Sequence, residues 1–195
     1  MIRQLFSTVV AFAVLAFAGE TPANGAGVEL APTLKVGEKI LVLNGAGNRN
    51  KYLLDLYTAG LYLTQPSNQP VSIIEADAKM VIRIVITSKM VSQEKMIASL
   101  EEGFQNSTRG DIEPLRADIQ RFRQCFADEI VKGDIFDLVY LPGQGVGVFK
   151  NGKQQGAIAG LPFKRALFGI WLSEQPADAR LKQALLGNGS GVRRQ

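Results

Sequence analysis

Two segments constrain the fold of this chain more than any other. Residues 52–64 and 80–87 both read as strands that are apolar on both faces. In the first, Tyr52, Leu54 and Leu56 alternate with Leu53, Tyr57 and Leu61. In the second, Ile82, Ile84 and Ile86 alternate with Val81, Arg83 and Val85. Successive side chains of a strand point to opposite faces, so such strands need cover on both sides. The shorter run Lys39–Leu43 is also of strand type, and Asn44-Gly45-Ala46-Gly47-Asn48 interrupts it. Residues 65–70 carry turn chemistry, and Val71–Ala78 reads as a short helix or a loop.

Helical periodicity takes over after residue 91. Ser92 is a suitable N-cap for a helix whose stripe is Met96, Ile97, Leu100 and Phe104, ending over Asn106–Gly110. A second stripe follows at Ile112, Leu115, Ile119, Phe122 and Phe126, flanked by a buried, inert Cys125. Strands return at Ile135–Leu141, Gly145–Lys150 and Lys153–Ile158, the last two joined by the hairpin signal Asn151-Gly152. Pro162 opens another helix, and Pro176 with Asp178 opens a last one that stops at Gly187. Strands, two helices, strands and two helices predict an α+β fold, with an antiparallel sheet and a helical layer on one face.

The first 26 residues stand apart. Arg3 precedes an apolar run from Leu5 to Ala18, followed by small-x-small sites at Ala16-Phe17-Ala18 and Ala23-Asn24-Gly25. That pattern predicts a signal peptide over 1–26, a folded domain over 27–187 and a flexible Gly/Asn/Ser tail over 188–195. A cleaved leader implies a periplasmic or secreted protein with no stable membrane anchor. Its loss would remove Arg3 and Glu20, leaving the net charge of +4 unchanged. Lys and Arg do not cluster with aromatics elsewhere, which argues against a nucleic-acid partner.

The chain has no histidine and one cysteine. That excludes His-activated nucleophiles, Cys/His zinc clusters and an intramolecular disulfide. No metal and no cofactor are expected. Gly45-Ala46-Gly47 lacks the third glycine and the helix of a dinucleotide fingerprint, so a bulge or bend is the simpler reading. Arg109-Gly110-Asp111 reads as a turn, and Glu101-Glu102 as a solvated helix face. Arg49 and Arg83 are the notable charges, because each lies in strongly apolar strand sequence. A buried guanidinium must be paired or must border a cavity. Asp55 is the candidate partner.

Taken together, several segments resemble the chalcone isomerase-like family. They are Asn44-Gly45-Ala46-Gly47-Asn48-Arg49, Leu56-Tyr57-Thr58-Ala59-Gly60-Leu61-Tyr62-Leu63, Val91-Ser92-Gln93-Glu94-Lys95-Met96, and Phe163-Lys164-Arg165-Ala166-Leu167-Phe168-Gly169-Ile170-Trp171-Leu172. The likeness is to the secreted bacterial branch. It implies an open-faced β-sandwich, with a large antiparallel sheet and a helical layer enclosing an apolar cleft. Enzymes of the family cyclise chalcones, with an arginine stabilising the developing charge; other members hold a fatty-acid carboxylate with that arginine and a tyrosine. By motif these are Arg49 and Tyr57. The enzymes' other polar residues fall near Ser92 and Ser99 and on Ile170, and they carry Thr where this chain has Tyr57.

The resulting expectation is a monomeric, non-catalytic binder of a fatty acid or similar amphipathic carboxylate. Its site residues would be Arg49, Tyr57, Ser92, Ser99, Ile170 and Trp171, with Ile82, Ile84 and Leu100 as further lining. One alternative is an isomerase or lyase acting on a phenolic enone, with Arg49 as catalytic oxyanion stabiliser. Another is a structural module in which Arg49 pairs with Asp55. Arg49 and Tyr57 are eight residues apart, roughly 26 Å along one extended strand. They can cooperate only if the chain turns near Asn50-Lys51.

Overall fold

The computed structural model describes residues 28–51 and 54–188. The 1–26 leader, Tyr52, Leu53 and all of the 188–195 tail except Asn188 lie outside the described residues. Seven antiparallel strands form one curled sheet, a half-barrel, in sequence order. They are β1 (Thr33–Val36), β2 (Lys39–Lys51), β3 (Leu54–Leu63), β4 (Met80–Ile86), β5 (Ile135–Leu141), β6 (Gly145–Lys150) and β7 (Lys153–Ile158). The helices are α1 (Pro70–Glu75), α2 (Gln93–Ser107), α3 (Arg116–Gln124), α4 (Leu161–Leu172) and α5 (Ala179–Leu185). The α+β architecture read from the sequence is the one observed.

Local chemistry sets the boundaries. The Ser92 hydroxyl accepts the Lys95 N–H at 3.3 Å and starts α2. Asp178 accepts the N–H groups of Arg180 and Leu181 and starts α5. Asn151 and Gly152 both have positive φ, 49° and 78°, as a two-residue hairpin between β6 and β7 requires. The second predicted helical stripe is divided: Pro114 sits in a 3-10 turn (Glu113–Leu115), and α3 follows it. Phe126 lies beyond the end of α3 but still reaches the core.

The sequence expectation for β2 needs correction. Asn44–Asn48 does not interrupt the strand, which runs through Lys51 with a register shift between Leu43 and Gly45. The glycines make room for α5. A Cβ on Gly45 would lie 2.0 Å from the Ala184 carbonyl oxygen, and one on Gly47 would lie 2.6 Å from the Ala184 Cβ. The Gly-Ala-Gly motif is thus a helix seat on a strand.

The core between sheet and helices is aromatic. Phe104 (α2), Phe122 (α3) and Phe163 (α4) meet with ring centroids 5.5–5.8 Å apart, and Phe126 stacks on Phe136 of β5 at 5.1 Å. Ile82, Ile84, Leu100, Ile170 and Trp171 are fully buried in this mass. They are packing residues, which corrects their reading as cleft lining. Periodicity identifies a buried face but not whether that face borders a void. Ile170 packs on Gly103 of α2, where a Cβ would come within 2.7 Å of its Cγ2.

A second cluster occupies the other face of the sheet, with Leu34, Val36, Leu41, Tyr62, Val81, Val139 and Phe149. Arg83 is paired there. Its Nε and Nη2 donate to the two carboxylate oxygens of Asp137, at 2.7 and 3.1 Å. The partner is therefore Asp137 across the β4–β5 ladder, not Asp55. Sequence could not choose between them, because strand pairing brings together residues far apart in the chain.

Candidate functional site

The chain does reverse, as the Arg49–Tyr57 pairing requires, but only after β2 has run through Asn50 and Lys51. β2 and β3 form a hairpin in which Lys51 opposes Leu54 and Arg49 opposes Tyr57. The two residues are cross-strand neighbours, and the Arg49 guanidinium carbon lies 5.8 Å from the centre of the Tyr57 ring. A bulge separates this pair from the next, Asn50 opposite Asp55. One extra residue on a strand breaks the alternation of faces. Asp55 consequently sits with Asn48, whose amide reaches its carboxylate at 3.4 Å, while the Asn48 carbonyl accepts the Thr58 hydroxyl at 2.8 Å. The Arg49–Asp55 pair of the structural-module alternative does not form.

Arg49 is instead 8% exposed and donates through Nη1 to the Ser99 hydroxyl of α2 at 2.5 Å. Among the described residues, no carboxylate forms an ion pair with it. Behind it, Trp171 Nε1 donates to Tyr57 Oη at 2.9 Å, with both groups buried. Burial raises the Tyr57 pKa above its ordinary value, against the opposing pull of Arg49 and of the Trp171 N–H. Tyr57 therefore keeps its proton at neutral pH.

These groups close the inner end of a cleft. A chamber of about 50 Å³ is bordered by Arg49, Tyr57, Ser99, Val91 and Met96. It adjoins an outer cleft of about 400 Å³ between the β2–β3 hairpin end and α2. Leu56, Met90 and Ala98 provide the apolar wall of the outer cleft, and Lys51, Lys95 and Glu102 provide its charges. Lys95 Nζ also donates to the Met90 carbonyl at 3.0 Å, tying the β4–α2 loop to the helix.

Inside the chamber the polar groups are donors in search of an acceptor. Arginine has no acceptor atom. The Tyr57 oxygen already accepts from Trp171, and the Ser99 oxygen accepts from Arg49, so each hydroxyl proton remains to be given. Among the described residues neither proton has a hydrogen-bond acceptor. Such a set suits an anionic oxygen group.

Three of the six predicted site residues are thus brought together at the chamber, Arg49, Tyr57 and Ser99, while Trp171 stands behind it and touches it through Tyr57. Ser92 is not among them, because its hydroxyl caps α2. Ile170 is not either, because it is turned to Gly103. The sequence reading missed Lys51, Leu56, Met90, Lys95, Ala98 and Glu102. A signal for part of this set existed. Lys95, Ala98, Ser99 and Glu102 recur at helical spacing on the side of α2 away from Met96, Leu100 and Phe104. Glu102, read as merely solvated, is on the cleft wall.

Among the described residues, no group of three acidic or cysteine side chains could hold a metal. No described helix is long and apolar enough to cross a membrane.

The fold defines an α+β open-faced sandwich with a charged cleft beside one hairpin. The family described as chalcone isomerase-like matches residues 23–187, and the chain belongs to that family. No curated protein sequence matches the chain. Among solved structures it is similar to the fatty-acid binding protein AtFAP1 of Arabidopsis thaliana. The identity is 22%, the TM-score is 0.66, and the match covers 87% of this chain and 97% of that one.

Proposed function

We propose that the protein is a periplasmic, non-catalytic binder of a fatty acid or similar amphipathic carboxylate, a monomer of the family's secreted bacterial branch. The observation that carries this reading is the donor-only chamber. Arg49, Tyr57 and Ser99 present N–H and O–H groups to one small space, at the inner end of a cleft with an apolar wall. A carboxylate supplies acceptor oxygens and the missing negative charge. Its apolar chain would run outward along Leu56, Met90 and Ala98, and Lys51 and Lys95 add positive charge at the mouth. The fatty-acid binding of AtFAP1, on the same fold, supports the reading. The signal-peptide pattern of residues 1–26 supports the location.

The test is lipid extraction and mass spectrometry of protein purified from its own periplasm, followed by titration of a stripped sample with dodecanoate. Arg49→Ala should weaken dodecanoate by about 10- to 100-fold, the range expected for hydrogen bonds to a charged group. Equal affinity in the variant would refute the role of Arg49. Turnover of a chalcone-like enone that disappears in Arg49→Ala would replace the binding reading with the isomerase one.

A further inference from the structure

Trp171 lines neither the chamber nor the cleft. It stands behind the site, in the core, and touches it through one hydrogen bond, from Nε1 to Tyr57 Oη. That bond has a chemical consequence. A phenol can donate one proton and can also accept. With the indole N–H engaging its oxygen, Tyr57 turns its proton elsewhere, and the indole, a donor only, cannot take it. Asp178, whose charge Tyr57 senses, is committed to capping α5 and to the Asn50 N–H. The guanidinium on the other side also only donates.

We propose that Trp171 is a specificity-determining, positioning residue: by occupying the Tyr57 oxygen it commits that hydroxyl to donating, so the chamber favours ligand heads that bring acceptors alone. This rests on the binding function proposed above and narrows its ligand class. An ionised carboxylate satisfies Arg49, Tyr57 and Ser99 together. A long-chain alcohol of equal length brings a proton of its own, for which the chamber offers only hydroxyl oxygens that already accept a hydrogen bond. A buried donor left unpaired is costly, so the alcohol is disfavoured.

The experiment compares dodecanoate with dodecanol by displacement of a bound apolar dye, in wild type, Trp171→Phe, Tyr57→Phe and the double variant. Removing the indole N–H frees one acceptor position on the Tyr57 oxygen, with the Arg49 guanidinium still beside it. The preference for acid over alcohol should then fall about five- to tenfold in Trp171→Phe. It should not fall further when Tyr57 is already Phe. Since Trp171 is the chain's one tryptophan, a tryptophan auxotroph can replace it with benzothienylalanine. That residue keeps the ring shape but lacks the N–H, which covers the case in which the phenylalanine variant does not fold.

An unchanged preference in the benzothienylalanine protein overturns the proposal. So does an equal fall with and without the Tyr57 hydroxyl, which would mean that Trp171 acts by packing alone. Both results leave the binding function standing. Wild type that takes neither probe refutes that function and this inference with it.

Discussion

At the scale of single residues, the most informative buried charge outside the cleft is Lys164. It is fully buried in α4, and its ammonium donates to the carbonyls of Ile73, Ile74 and Ala76 at 2.7–2.8 Å. The last carbonyls of a helix have no partner within it. Lys164 therefore closes the end of α1 with all three of its protons. The rings of Phe168 and Tyr140 flank it at 5.3 and 5.4 Å. Burial pulls its pKa down to about 8, which still leaves the charged form in excess at neutral pH. Lys164→Met keeps the apolar stem and strands three carbonyls. Urea unfolding should show a loss of about 2–4 kcal/mol; a loss below about 1 kcal/mol would mean that water replaces the amine. Composition and periodicity cannot reveal such a residue. In sequence Lys164 is one more lysine in an apolar helix, and its partners lie about ninety positions away. A separation of 54 positions likewise hid Asp137 from Arg83, whereas Asn151-Gly152 was legible because a two-residue turn is decided by its own backbone.

At the scale of elements, the seating of α5 on β2 decides the shape of this end of the sheet. Asn44 sits at the register shift and holds the join. Its amide donates to the carbonyls of Leu185 at 2.7 Å and Ser67 at 2.9 Å, and its oxygen accepts the Ser67 N–H. Beside it, Gly45 allows a close approach of strand and helix backbone. In Gly45→Ala the new Cβ would meet the Ala184 oxygen at 2.0 Å and the Leu185 oxygen at 2.8 Å, both backbone atoms that cannot swing away. The variant should lose about 3 kcal/mol or more, at the upper end of overpacking costs. Amide exchange should accelerate in α5 first, because α5 is the displaced element. Uniform acceleration, or none, would show that the glycine serves some other purpose. The sequence showed the motif but not its use. A G-x-G reads as a strand break when only the strand is considered, and the helix that needs the space comes some 135 residues later.

At the scale of the whole molecule, the sheet, the helical layer and their order were legible, because each rests on local periodicity and turn residues. The family resemblance pointed to Arg49, Tyr57 and Ser99, and the structure brings these three to one chamber. The apolar wall was not legible, and the reason is physical. Burial patterns point to the residues most deeply packed, but here the interior is filled by Phe104, Phe122, Phe163 and their neighbours. The open space lies outside that mass, along Leu56, Met90 and the polar side of α2, which apolar periodicity does not mark.

The packing therefore predicts the path of a bound chain. An acyl tail anchored at Arg49 should lie in the outer cleft against Leu56, Met90 and Ala98 rather than between helices and sheet. Ala98 is exposed on α2, so Ala98→Trp can fill the cleft without disturbing the core. It should weaken dodecanoate at least about tenfold while leaving the unfolding midpoint near that of wild type, as surface substitutions generally do. Ile82→Ala should do the reverse, lowering stability by about 2–5 kcal/mol with unchanged affinity in the folded protein. If Ile82→Ala alters dodecanoate binding and Ala98→Trp does not, the tail enters the core and the aromatic cluster must open to admit it.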